Sequence, residues 1–197
     1  MTITLQIIRD HNPCTDDWKT LTKAIGSDLT TELSIGDVLI SNGLDGALWF
    51  MNCLEPRVRV AAIMPAVKRT SVYTTDSRVH DCIADIERWL AGDDTVDLKA
   101  ASEAARAARC LAGSWGAAAT ASLAAEVACR RAESGGVLWA AGAAQVAAGV
   151  AAGAAARAAG ARAATRAAAR AEEAERKLQG ADLLAMFPPM ILKGEQP

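Results

Sequence analysis

The feature that most constrains the fold of this chain is an alanine-rich stretch in its C-terminal half. Of the 197 residues, 45 are alanine, and 35 of these lie among the 72 positions from Ala100 to Ala171. The same stretch contains no proline, aspartate or tyrosine. Alanine is the strongest helix former and proline the strongest helix breaker. The composition therefore excludes a β-sandwich, a collagen-like chain and a disulfide-stapled scaffold, and it predicts an all-α fold.

Residues 93–187 are predicted to form a long helical hairpin. Helix-forming residues run almost without interruption from 97 to 177, and the best break is the Ser134-Gly135-Gly136 sequence. Large apolar residues recur at helical spacing and form a narrow stripe that includes Leu111, Trp115, Leu123 and Val127. Because alanine buries little apolar area, this hairpin must pack on the first hundred residues or on a second copy of itself. We therefore expect a homodimer.

Residues 1–92 have an ordinary globular composition and are predicted to form a small helical region. Ile3, Leu5 and Ile7 alternate with polar residues, which is typical of one short strand. A helix is predicted to start at Thr15 and to stop at Gly26. Further short helices are predicted over 31–40, 44–54 and 58–68.

Turn and capping residues set the expected boundaries of these elements. The Ser41-Asn42-Gly43 sequence separates the second helix from the third, and Pro65 is expected to kink or end the fourth. Asp76 is a predicted N-cap for a helix that reaches Leu90 and stops at Gly92. At the other end of the chain, a last short helix is predicted over 181–187, followed by a flexible tail over 188–197.

The charge and cysteine content point to a cytoplasmic protein. The net charge is only −2, so no overall field favours nucleic acid or an anionic membrane. The five cysteines form no C-x-x-C pair, as expected of reduced thiols in a bacterial cytoplasm. Residues 135–156 carry no charge and are long enough to span a bilayer. They hold few strongly apolar side chains, so a closely packed helix is favoured over a membrane-inserting one.

Four arginines form the most prominent charged feature, and we call them the arginine ridge: Arg157, Arg162, Arg166 and Arg170. Steps of four residues place the last three on one face of a helix. Such a ridge could bind an acidic partner protein or phosphates. Alternatively it is a solvated face, with ordinary pairs between Arg170 and Glu173 and between Glu172 and Arg176. No aromatic residue interleaves with the arginines, which disfavours direct nucleic-acid binding.

The remaining reactive residues predict neither a metal site nor an active site. His11 with Cys14, and His80 with Cys82, do not have the ligand spacing of a zinc site. No phosphate-binding loop, nucleophile motif or paired carboxylate is recognisable, so we expect no enzymatic activity and no cofactor.

The five tryptophans fall into two groups. Trp18, Trp49 and Trp89 lie on apolar faces and are expected in the core. Trp115 and Trp139 stand among alanines, and each either fills the gap beside the hairpin or anchors an interface with a partner.

Two stretches resemble the alanine-rich immunity proteins of bacteria and phages. They are IGDVLISNGLDGALWFMNCLE, over 35–55, and IERWLAGDDTVDLKAASEAARAA, over 86–108. The family carries an LDDALWCL sequence that matches residues 43–49 here, and a WL-x-G helix end that matches residues 89–92. An alanine-rich tail follows in both. This chain departs from the family in that tail, where it has glycine and arginine at many positions that members fill with tryptophan or aspartate.

The resemblance implies a non-catalytic inhibitor that neutralises something by binding it. Such a protein would block a toxin or a host-defence effector, as an immunity protein or as an anti-CRISPR-type anti-defence protein of a phage. The partner-binding residues expected from the sequence are the arginine ridge with Trp115 and Trp139. The alternative is a nucleic-acid-binding accessory protein that places Arg162, Arg166 and Arg170 on phosphates.

Overall fold

The computed structural model describes residues 2–111 and 161–192. These residues are mostly helical, and they include a pair of two-residue strands. The predicted all-α class with one short strand is confirmed. The predicted break at residues 134–136 and the uncharged stretch 135–156 lie outside the described residues.

The elements follow one another along the chain with short connections. The N-terminal part contains β1 (Ile3–Thr4), α1 (Leu5–Asp10), α2 (Thr15–Ile25), β2 (Glu32–Leu33), α3 (Ile35–Phe50) and a 3-10 turn (Met51–Cys53). The middle part contains α4 (Pro56–Ser71), α5 (Ser77–Leu90) and α6 (Leu98–Leu111). The last described helix is α7 (Ala161–Met186).

The chain divides into two compact units whose boundaries differ from the one expected between residues 92 and 93. The first unit comprises Met1–Glu55 together with Gly180–Pro197, so it is built from both ends of the chain. The second unit comprises Pro56–Gln179. Helix α7 supplies residues to both, because the division falls between Gln179 and Gly180.

The N-terminal strand is shorter than the alternation of Ile3, Leu5 and Ile7 predicts. β1 pairs antiparallel with β2, with Ile3 opposite Leu33. The hydroxyl of Thr4 then accepts a hydrogen bond from the Ile7 backbone N–H at 3.4 Å and caps α1. The prediction of a strand through Ile7 is wrong, because the helical spacing of Leu5 and Ile8 buries both.

Glycine and a capping serine set the ends of α2 and α3. Gly26 ends α2 with a φ of 94°, as predicted. The prediction that the next helix starts at residue 31 is wrong, because Ser34 is the N-cap and forms a capping box with Asp37. Gly43 interrupts α3 with a φ of 74°, at the position where the sequence predicts a turn.

Helices α4 and α5 belong to the second unit. The prediction that Pro65 kinks or ends α4 is wrong insofar as the helix continues to Ser71. Met64, Ala66 and Val67 beside the proline are buried, and this burial offsets the lost backbone hydrogen bond. Helix α5 has the predicted ends: the Asp76 side chain accepts a hydrogen bond from the Arg78 backbone N–H, and the helix stops after Leu90.

The alanine-rich sequence packs through its small side chains where the structure describes it. Helix α6 lies against α5. Its buried face is made of Leu98, Ala101, Ser102, Ala105 and Ala108. The opposing buried face of α5 consists of Val79, Cys82, Ile83 and Ile86. Large residues on one helix therefore meet small ones on the other, which allows close approach of the two backbones.

The tryptophans are less buried than the sequence predicts. Trp18, Trp49 and Trp89 are each half-buried, and the fully buried aromatic side chain is Phe50. The guanidinium of Arg57 lies 5.0 Å from the centre of the Trp89 ring, in a cation–π arrangement. The expectation that these tryptophans are core residues is therefore wrong, because each leaves part of its ring at the surface.

Helix α7 is longer than the sequence predicts. It continues through Gly180 to Met186, so the prediction of a separate helix over 181–187 is wrong. A single glycine costs only about 1 kcal/mol in a helix interior, which the buried Leu183 and Phe187 offset. Pro188 and Pro189 then follow the end of the helix, as expected. None of the helices within 2–111 and 161–192 has the length and apolarity that crossing a membrane requires.

Candidate binding surface

One face of α7 is fixed to the second unit by a buried carboxylate. Glu175 is only 7% exposed, and the Arg69 side chain on α4 donates to it from Nε at 3.1 Å and from Nη2 at 2.9 Å. The side-chain amide of Gln179 donates to the same carboxylate at 3.2 Å. Charge-assisted bonds from a guanidinium are stronger than neutral ones. They compensate the burial of Glu175 and fix the rotation of the helix about its axis.

The arginine ridge lies on the opposite side of the same helix. Nine residues separate Arg166 from Glu175, which at about 100° per residue corresponds to two and a half turns. Arg166 and Arg170 are both exposed. The backbone of Arg162 occupies the preceding turn of α7, whereas Arg157 lies outside the described residues. The structure thus places three of the four predicted ridge residues along one helix.

Within the described part of the chain, neither Arg166 nor Arg170 forms an ion pair. The predicted pair of Arg170 with Glu173 is wrong, because Glu173 pairs with Lys177 at 2.9 Å instead. The hydrogen bond from Lys177, with its positive charge, lowers the pKa of Glu173. The ridge therefore ends in a pair that neutralises itself, and the two arginines before it carry uncompensated positive charge.

The predicted anchors Trp115 and Trp139 lie outside the described residues, so their role stays a prediction. The residues considered for metal binding have local structural partners instead. The Cys14 thiol caps α2, since it accepts from the Asp17 backbone N–H at 3.3 Å and donates to the Asp17 carboxylate at 2.9 Å. The rings of His11 and His80 each bond a backbone carbonyl, at 2.9 and 3.0 Å. No group of three metal-ligating side chains occurs within 2–111 and 161–192.

Sequence reasoning missed a second built feature, which joins the end of the described chain to the start of α3. We call residues 187–192 the strap. The carboxylate of Asp37 is fully buried and accepts backbone N–H bonds from Met190, Ile191 and Leu192 at 2.8 to 3.1 Å. The Ser34 backbone N–H donates to it at 2.9 Å. Burial raises the pKa of Asp37, but these four N–H groups outweigh it and leave the pKa below its usual value.

Gly36 provides the space that the strap occupies. A Cβ atom at this position would lie 2.2 Å from the Phe187 carbonyl oxygen and 2.8 Å from the Pro189 nitrogen. The spacing of Ser34 and Asp37 is a recognisable capping box. No local pattern could have shown that the same aspartate binds residues more than 150 positions away. The strap begins in the segment that the sequence predicts to be a flexible tail; residues 193–197 lie outside the described part.

Comparisons with protein families, with curated proteins and with solved structures found no match to this chain. The resemblance of residues 35–55 and 86–108 to alanine-rich immunity proteins therefore stays a prediction.

Proposed function

We propose that this protein is a non-catalytic inhibitor that binds an acidic surface of another protein through its arginine ridge. The observation that carries the proposal is the pair Arg166 and Arg170, which are exposed and without an ion-pair partner in the described structure. Their helix is held from behind by the buried Arg69–Glu175 interaction.

The chemistry of the ridge favours carboxylates as partners. A guanidinium offers a planar set of donors that matches a carboxylate in a bidentate arrangement. Arg162 and Arg170 are eight residues apart, so the ridge extends about 12 Å along the helix. This length suits two or three acidic side chains of a partner protein. Complementary charge would mainly set the rate of association and the choice of partner.

The expected partner is a bacterial toxin or a host-defence effector, such as a CRISPR interference complex. This choice rests on the resemblance to immunity proteins. A cytoplasmic location agrees with the thiols of Cys14, Cys53, Cys82 and Cys110, which are all free. The inhibitor would act by covering the working surface of its target, which requires no catalytic group of its own.

Charge reversal of the ridge tests the proposal. The double variant Arg166→Glu/Arg170→Glu changes the charge by four units at the proposed contact. The control Lys99→Glu/Arg106→Glu makes the same change at two exposed positions on α6. Each full-length protein is co-expressed with candidate toxins and defence complexes, and capture of the target is measured with its residual activity. We expect only the ridge variant to lose both capture and inhibition.

Two outcomes would contradict this proposal. If the ridge variant and the control inhibit equally, the ridge is not the contact. If the wild-type protein shifts a short DNA or RNA duplex at about 50 mM salt, and the ridge variant does not, the ridge binds phosphates. The protein would then be a nucleic-acid-binding accessory protein. A duplex complex held by three arginines should weaken steeply with salt, because each phosphate contact releases about 0.9 counterions.

A further inference from the structure

The first unit carries an exposed apolar surface around the strap. Eight large apolar side chains are exposed in the described part of the chain, and four of them lie beside the strap. We call these four the strap patch: Ile40, Met186, Met190 and Ile191. Their exposed fractions are 37%, 41%, 56% and 40% respectively.

The contacts of the strap bring these side chains into one neighbourhood. Ile40 is four residues after Gly36, so it lies one turn further on the side of α3 that faces Phe187 and Pro189. Met186 directly precedes Phe187. Met190 and Ile191 are held at Asp37 through their backbone N–H groups, at 3.1 and 2.8 Å.

The strap patch is held in place by polar contacts that leave its side chains available. The Asp37 carboxylate fixes the backbone of residues 190–192, while the side chains of Met190 and Ile191 remain at the surface. Methionine is flexible and polarisable, and it adapts its shape to apolar partners. A surface that exposes two methionines and two isoleucines together is typical of an interaction site.

We propose that the strap patch binds the apolar face of a single amphipathic helix from another protein. The size of the patch carries this choice of occupant. Four side chains that are roughly half exposed offer on the order of 300 Å² of apolar area. A stable dimer needs about 800 Å² from each partner, so a second copy of this chain is a poor fit for the patch alone. One helix with leucines at helical spacing matches the smaller area.

Methionine labelling makes the test internally controlled. The chain has five methionines, and apart from Met1 they divide into exposed Met186 and Met190 and buried Met51 and Met64. The full-length protein, carrying ¹³C at its methionine methyl groups, is titrated with a synthetic helical peptide of about 18 residues. The peptide has one leucine face and no net charge, so that the arginine ridge does not attract it.

We expect the resonances of Met186 and Met190 to shift and saturate with a Kd on the order of 100 µM, while those of Met51 and Met64 stay in place. In the variant Met190→Ser/Ile191→Ser, the backbone bonds to Asp37 remain and the Met186 resonance reports binding at least about tenfold weaker. The control Val72→Ser/Leu178→Ser removes two exposed apolar side chains from the second unit and should bind as the wild type does.

Three results would overturn the proposal. The first is the absence of a shift at Met186 and Met190 up to about 1 mM peptide. The second is equal weakening in the control variant. The third is a shift that depends on protein concentration without peptide, which would assign the patch to a second copy. The variant Arg166→Glu/Arg170→Glu should bind the uncharged peptide normally, so failure of the ridge proposal and failure of this one are distinguishable.

Discussion

Replacement of Asp37 by asparagine tests whether charge holds the strap to α3. The two side chains have nearly the same shape, so the substitution removes the negative charge without opening a cavity. One carboxylate oxygen accepts from the backbone N–H groups of Met190, Ile191 and Leu192, and the other accepts from Met190 and from the Ser34 N–H. An amide has only one acceptor atom, so its NH₂ group must face at least one of these donors.

The expected cost follows from the bonds that are lost. A hydrogen bond to a charged group contributes about 1.5–3 kcal/mol, and a buried donor left without a partner costs a further 1–3 kcal/mol. Because the bonds share one carboxylate, their losses do not add fully. We expect Asp37→Asn to lower the free energy of unfolding by about 3 kcal/mol, a large share of the 5–15 kcal/mol typical of a domain.

Two measurements check this expectation. Chemical denaturation followed by circular dichroism gives the free energy of unfolding of the wild type and the variant. Hydrogen exchange of the Met190, Ile191 and Leu192 amides reports the strap directly, and a loss of 3 kcal/mol should speed their exchange about 100-fold. The control Asp10→Asn removes one negative charge at an exposed site and should change stability by less than about 0.5 kcal/mol.

The reasoning would be refuted by unchanged exchange at residues 190–192 together with wild-type stability. The strap would then be held by the burial of Phe187 and Leu183 and not by the carboxylate. Equal destabilisation in the Asp10→Asn control would point to net charge as the cause.

Three further predictions rest on the same contacts. As the pH falls through the lowered pKa of Asp37, below the ordinary 3.8, the wild type should lose the stabilisation that is complete above 3.8; acid titration of strap exchange checks this, and Asp37→Asn should show no such step. Gly36→Ala should lower the free energy of unfolding by about 2 kcal/mol or more, because its Cβ would meet the Phe187 carbonyl. Gly180→Ala, with open space on α7, should raise it by about 0.5–1 kcal/mol, and a reversed order in thermal denaturation would contradict both. Glu175→Gln should cost about 3 kcal/mol by leaving Arg69 without its carboxylate, while Arg69→Met/Glu175→Leu should recover most of that loss in the same denaturation assay.

The local elements of this chain were largely predictable because their causes are local. Asp76 and Gly92 bound α5 as the sequence predicts, since capping and backbone freedom depend on neighbouring residues only. The same holds for the interruption at Gly43 and for the all-α class, which the alanine content dictates. Pro65 and Gly180 were misjudged because tertiary burial outweighs their weak helix preference.

The sequence by itself determined that the chain is helical and that a row of arginines follows one face of α7. It could not determine which side chains are buried or what they bind. Only the tertiary structure shows that Glu175 is anchored by Arg69, which leaves Arg166 and Arg170 on the outer face. Only it shows that Asp37, readable as a helix cap, also holds a strap more than 150 residues away. The physical reason is that capping depends on backbone groups a few positions off, whereas burial and charge pairing depend on neighbours that the fold alone brings together.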